Sequence, residues 1–295
     1  MSMRSLKLDF KPLIKKLDFL SRKLLEGDEI GEYASPHRKR GMEFEEYKDF
    51  VPGDDASLID WKASLRTGKL LVRQYTQTKN LNVIILMDVS NSMIYSSINK
   101  LKCEYAAEIA ASLSYYLLKS GDSVGMIMFN DKIVKFLHPM QGNRQFFVIS
   151  GVLSNPEFYG GDFDISNAIN YAGRIAKHGT LIIIISDFIG LDSKWTVALS
   201  SLTKRADIVA IIVRDPQDNR LKAKMGTARI VDPYSERMLL VNMDEIKYSY
   251  EEASQRILSD VKDSLKKNRV TVIELETDKP FVEPIVKSFA KRVVK

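Results

Sequence analysis

Residues 81–93 read LNVIILMDVSNSM: an unbroken apolar run from Val83 to Met87 stops at Asp88, and Ser90 and Ser92 follow at alternate positions. A continuous apolar run of this length, rich in β-branched residues, is the pattern of a strand buried on both faces. Strands of that kind belong to parallel sheets covered by helices. The carboxylate and two hydroxyls at the strand's end raise the second question, because buried polar groups are costly unless hydrogen bonded or held by a charge partner.

Working outward, the same strand type recurs in TLIIIISDF (180–188), which ends in Asp187, and in DIVAIIVRDP (207–216). SVGMIMFN (123–130) and VTVIELET (270–277) are further strands, and KIVKFLHPM (132–140) is expected to pair beside the first of these as a hairpin. Between them lie helical patterns. Leu101, Tyr105, Ile109, Leu113 and Leu117 recur every four residues within 100–122, closed by Ser120-Gly121. Helices are also expected over 143–155, 164–178, 193–206 and 249–268 and in the C-terminal tail, with a small hairpin over 228–242. Alternating strands and helices make an α/β, doubly wound, mainly parallel sheet with helices on both faces.

Upstream, Phe10, Leu13, Ile14, Leu17, Leu20 and Leu24 have amphipathic-helix spacing, a polar loop follows, and KLLVRQYT alternates like a strand. The expected organisation is an N-terminal extension over 1–78 and an α/β domain over 79–295, with small β-hairpin insertions.

The 295 residues, 45% hydrophobic and 28% charged, have an ordinary globular composition. No apolar run approaches the roughly 20 residues of a membrane helix, and the basic N-terminus lacks the apolar core of a secretory signal. A single cysteine, Cys103, excludes an internal disulfide and a cysteine zinc site. A cytoplasmic protein is the expectation. The net charge of +6 is spread and interleaved with acids, the densest basic cluster being PHRKRG (36–41), so nucleic-acid binding is not expected.

In open α/β sheets, ligands bind beyond the carboxyl ends of strands where the strand order reverses. Asp88 and Asp187 both stand at such ends and are expected to face one crevice, with Ser90 and Ser92 in the loop after Asp88. Two carboxylates and two hydroxyls are hard oxygen ligands, suited to Mg²⁺, Mn²⁺ or Ca²⁺. The plainer alternative is that Asp88 merely ends the strand while Ser90 or Ser92 caps the next helix.

DVSNSM followed by a helix, and later IIIISDF, resembles the metal-ion-dependent adhesion site of von Willebrand factor A-like domains. The resemblance implies Mg²⁺ held through Asp88, Ser90, Ser92 and Asp187, with a partner's carboxylate completing the coordination sphere. Where that family has a threonine in a second loop, this chain has YGGDFDISNAI, with Phe163 in the threonine's place. Phenylalanine cannot ligate a metal, so Asp162 or Asp164 would supply the oxygen instead.

Residues 41–75 carry a second, more specific signature, resembling the prokaryotic family known as domain of unknown function fifty-eight. Gly41, Glu43, Phe44, Tyr47, Pro52, Gly53, Asp54, Asp55, Ile59, Asp60, Trp61, Arg66 and Thr67 match it in order. Trp61 and Phe44 are expected to anchor the segment by packing. Asp54, Asp55, Asp60 and Arg66 are read either as a partner-binding platform or as turn-forming and salt-bridging residues. The resemblance implies a protein-binding module that acts with a MoxR-type AAA+ ATPase on a client protein. RTGK (66–69) lacks the upstream glycine of a phosphate-binding loop. The alternative is a divalent-metal-dependent hydrolase or phosphoryl-transfer enzyme. His37, His138 and His178 are scattered and form no ligand or nucleophile–base pattern.

Overall fold

A computed structural model describes residues 6, 8, 43–76, 80–221, 226–232, 234, 235 and 237–293. The expected helix near residues 10–25 and the PHRKRG cluster lie outside the described residues. The chain divides into two compact units, one of Ser21–Asn80 and one of Met1–Leu20 with Leu81–Lys295.

In the Ser21–Asn80 unit, β1 (Glu43–Asp49) pairs antiparallel with β2 (Leu71–Thr76), and their connection folds back as a short helix, α1 (Trp61–Thr67). The signature acids build this connection. Asp54 accepts from the Val51 amide at 3.0 Å and from Lys48 Nζ at 2.6 Å, closing the Pro52-Gly53 turn. Asp55 accepts from the Ser57 amide. Asp60 caps α1 through the Lys62 and Ala63 amides and accepts from the Tyr47 hydroxyl at 2.8 Å. Gly68, at φ 72°, ends α1 in the left-handed region that favours glycine, so RTGK is a helix terminus. The expectation that Trp61 anchors by packing fails: its side chain is 63% exposed, and Leu65, one turn on, is 86% exposed. The first turn of α1 is held by its cap instead.

In the other unit the elements run β3 (Asn82–Asp88), α2 (Lys102–Lys119), β4 (Ser123–Phe129), β5 (Ile133–Met140), α3 (Asn143–Leu153), α4 (Ile165–Ile175), β6 (Thr180–Ser186), α5 (Trp195–Leu202), β7 (Ala206–Arg214), α6 (Pro216–Asn219), β8 (Thr227–Val231), β9 (Met238–Asn242), α7 (Met243–Lys267), β10 (Thr271–Glu276) and α8 (Val282–Val293). The central sheet has the order β10-β7-β6-β3-β4-β5, parallel except for β5, which returns antiparallel along β4. β5 is an edge strand and tolerates Pro139, whose missing N–H no second neighbour needs. β8 and β9 form a separate hairpin.

Strand periodicity sorts the core. Ile85, Met87, Ile183, Ile185 and Val209 face one layer with Tyr105, Ile109, Ile149 and Ile285 from α2, α3 and α8. Ile84, Leu86, Ile182, Ile184 and Ile208 face the other with Ile169, Leu199 and Leu265 from α4, α5 and α7. Each fully buried aliphatic side chain contributes roughly 1.5–3 kcal/mol, which is why these runs carry no polar residue until their ends. α7 begins six residues before the expected helix, because Asn242 caps it directly from β9. Among the described residues no helix is long and apolar enough to cross a membrane.

Candidate functional site

The strand order reverses between β3 and β6. Chain leaving β3 goes outward through β4 and β5, while β6, β7 and β10 build the opposite half. Asp88 closes β3 and Asp187 immediately follows β6, so both reach the crevice that parallel sheets open at this point. Asp88 and Asp187 are each 0% exposed.

Asp88 Oδ1 accepts from the Ser90 amide at 2.9 Å and Oδ2 from the Ser186 hydroxyl at 2.6 Å. Burial, then the charge of Asp187, pushes the Asp88 carboxyl up to about 7, against the hydrogen bonds from Ser186 and Ser90 that pull it down. Asp187 Oδ1 accepts from the Ile189 amide at 3.0 Å. The backbone between them is strained: Phe188 has φ 53°, costly for a bulky side chain, with its ring buried and its amide donated to Ser186 Oγ.

Ser90 Oγ and Ser92 Oγ lie 3.3 Å apart, both buried. Ser90 precedes a single 3₁₀ turn, Asn91–Ile94, and its hydroxyl makes no capping bond, so the capping alternative for it is not realised. α2 starts only at Lys102. Tyr234, between β8 and β9, brings its hydroxyl to 3.5 Å from Ser90 Oγ. Burial pushes the pKa of its phenol up, with smaller upward contributions from the charges of Asp187 and Asp88.

The glycine-rich loop lies alongside. Gly161 N–H donates to Asn91 Oδ1 at 3.0 Å, and the Asn91 amide donates to Gly161 O at 2.9 Å. Phe163 turns into the apolar layer against Phe129, with ring centroids 6.3 Å apart. Asp164 caps α4 through the Asn167 amide, and Asp162 is exposed. Among the described residues no three Asp, Glu, His or Cys side chains converge closely enough to hold one ion. Asp162 and Asp164 therefore do not join Asp88 and Asp187: the loop spends one carboxylate on a helix start and leaves the other in solvent.

Three participants were not singled out from sequence. Ser186 orients Asp88. Lys102 Nζ donates to Asp187 Oδ2 at 2.8 Å and to Asp218 Oδ2 at 2.9 Å, and is 3% exposed. Burial alone would push its pKa down, but the charges of Asp187 and Asp218 outweigh burial and push it up, so the ammonium stays protonated. Asp218 was visible only as the second acid of DPQD, which forms a capping box at α6 with Asp215. Cys103 is buried, its thiol pushed up to about 12 by burial and the Glu104 charge, as expected of a structural cysteine. His138 is exposed on β5, and His178 is exposed at the opposite end of β6 from Asp187.

The fold is a doubly wound α/β sheet with an antiparallel edge strand, carrying D-x-S-x-S and a second strand-end aspartate at its switch point. The chain belongs to the family described as Protein of unknown function DUF58, which matches it over residues 46–258. An uncharacterized protein of Mycobacterium tuberculosis is 26% identical over 294 residues, 99% of this chain and 89% of the relative. Uncharacterized protein YeaD of Bacillus subtilis is 21% identical over 136 residues, 46% of this chain and 32% of the relative. Among solved structures, the conserved hypothetical protein BatB of Bacteroides thetaiotaomicron has a TM-score of 0.49 at 19% identity, covering 72% of this chain and 98% of that one. A von Willebrand factor type A structure from Catenulispora acidiphila has a TM-score of 0.34 at 15% identity, covering 62% and 44%.

Proposed function

We propose that this chain is a non-enzymatic protein-binding module that holds a divalent cation, Mg²⁺ or the similarly hard Mn²⁺ or Ca²⁺, at Asp88, Ser90, Ser92 and Asp187. The observation that carries this reading is the meeting, at the sheet's switch point, of two fully buried carboxylates with two close, buried hydroxyls. The charge balance supports it as well. Lys102 serves Asp187 and Asp218, whereas Asp88 accepts from the neutral Ser90 amide and Ser186 hydroxyl and is the carboxyl pushed up to about 7. When bound, the ion would supply a Lewis-acidic position that accepts one further oxygen, from an acidic side chain of the partner.

The chain's own residues do the rest. The Ser90 amide and Ser186 hydroxyl orient Asp88, and the Ile189 amide orients Asp187. Phe188 closes the apolar layer beneath.

The family resemblance supports a MoxR-type AAA+ ATPase as the partner, acting with a client protein in the cytoplasm and supplying the energy. In the Ser21–Asn80 unit, Asp54, Asp55 and Asp60 are engaged in turns and a cap. Exposed Arg66, with Trp61 and Leu65, is the surface we assign to partner contact.

The test is co-elution of the full chain with a MoxR-type AAA+ ATPase from the same organism, in Mg²⁺ and in EDTA, for wild type and Asp88→Ala. Co-elution that needs both Mg²⁺ and Asp88 supports the proposal. Equal co-elution in all four conditions overturns the metal bridge, and none in any overturns the ATPase as partner.

A further inference from the structure

We propose that Lys102 is the resident counter-cation of this centre, seated between Asp187 and Asp218, and that a divalent ion loads only by displacing it from Asp187 onto Asp218. The inference rests on the metal reading above and adds the element that would set its affinity.

Lys102 Nζ contacts Asp187 Oδ2 at 2.8 Å and Asp218 Oδ2 at 2.9 Å, so one ammonium already bridges an expected metal ligand and a carboxylate outside the ligand set. It enters as the first residue of α2 and is almost fully buried, which denies it a retreat into solvent. Asp218 is built as a second seat. Its Oδ2 accepts from the Asp215 amide at 2.9 Å, and its carbonyl accepts from the Ser254 hydroxyl of α7. Asp215 in turn is held by the Ser97 amide at 2.8 Å, the Ser96 hydroxyl at 3.1 Å and the Gln217 amide at 2.8 Å. None of these bonds involves Asp88, Ser90, Ser92 or Asp187, so the second seat stands whether or not the first is taken.

The physical argument is one of charge. A divalent ion and an ammonium on the same buried carboxylate repel strongly, because little water screens them. The ammonium gives up Asp187 and keeps Asp218. Without the ion, Lys102 neutralises Asp187 and the fold needs no metal. Its hold on Asp187 is then a penalty that every loading ion overcomes, and Asp218 sets how large the penalty is.

The test is calorimetric titration of the full chain with Mn²⁺, together with thermal melting in EDTA and in Mn²⁺. Lys102→Met is expected to bind Mn²⁺ at least tenfold more tightly than wild type, to melt lower in EDTA and to regain stability in Mn²⁺. Asp218→Asn, which weakens the second seat, is expected to bind Mn²⁺ several-fold more weakly. Equal affinity in all three proteins overturns the exchange and leaves the metal reading standing. No binding heat in wild type and Lys102→Met alike overturns both. Tightening by Lys102→Met that survives added Asp88→Ala places the ion elsewhere and also overturns the exchange. If Lys102→Met does not fold in EDTA, Asp218→Asn against wild type decides: weaker binding supports the exchange and unchanged binding overturns it.

Discussion

Lys102 Nζ lies 2.8 Å from Asp187 Oδ2, joining the first residue of α2 to the residue after β6 across 85 positions of chain. Both side chains are buried, at 3% and 0% exposure, so this ion pair ties a helix start to the crevice floor with almost no solvent screening.

Removing one partner from such a pair leaves the other charge uncompensated, at a cost of about 3–5 kcal/mol. Lys102→Met should lose about that much stability in urea denaturation carried out in chelator. The double variant Lys102→Met/Asp187→Asn should recover part of the loss, since the fully buried charge is then gone and the remaining Asp218 carboxylate is partly exposed to water. A loss under about 1 kcal/mol would show the pair to be far better solvated than its burial implies.

The pH dependence in chelator should carry the mark of Asp88. Its carboxyl is raised to about 7 in the fold, from an ordinary value of 3.8. Between those values the folded chain binds more protons than the unfolded one, so stability falls as pH rises from about 4 to about 7. At roughly 1.4 kcal/mol per pKa unit the fall is on the order of 4 kcal/mol. Asp215, held below the ordinary value, acts with opposite sign and in the acid range below about 4. Urea midpoints from pH 4 to 8 should therefore decline in wild type and flatten in Asp88→Asn. A flat wild-type profile would refute the assignment.

Gly161 has φ 98°, and a Cβ there would sit 2.4 Å from Asn130 Nδ2, the group that donates to Gly160 O at 2.7 Å. Gly161→Ala should combine backbone strain with the loss of that bond and cost about 1–3 kcal/mol. Thermal melting measures it, with Gly151→Ala as control, since a Cβ there meets nothing within 4 Å.

Asp60 satisfies two amides at the start of α1 as well as the Tyr47 hydroxyl. Asp60→Ala should cost about 1–2 kcal/mol, the usual range for a lost N-cap. Exchange protection of the Lys62 and Ala63 amides should drop about tenfold or more. Unchanged protection would return Asp60 to the partner-binding reading.

The strands, the helices between them and the positions of Asp88 and Asp187 were legible along the chain. Each follows from local periodicity: apolar runs such as Val83–Met87 and the run ending at Ser186 are readable residue by residue, and a polar residue can appear only where such a run leaves the core. The capping motifs were equally local, though nothing in the order of residues told whether Asp54, Asp55 and Asp60 serve turns or partners. What lay beyond reach was the identity of the neighbours at the crevice. Lys102 stands at a helix start, where lysines ordinarily extend into water. It is buried only because the sheet brings Asp187 and Asp218, 85 and 116 positions away, to the same ammonium. Phe163 shows the same limit. Its inability to bind metal was plain from its chemistry, but the fates of Asp162 and Asp164 depended on how the Gly160-Gly161 turn meets Asn91. Periodicity is a property of neighbouring residues and survives in one dimension, whereas charge pairing in a crevice depends on distances that exist only once the crossovers have closed.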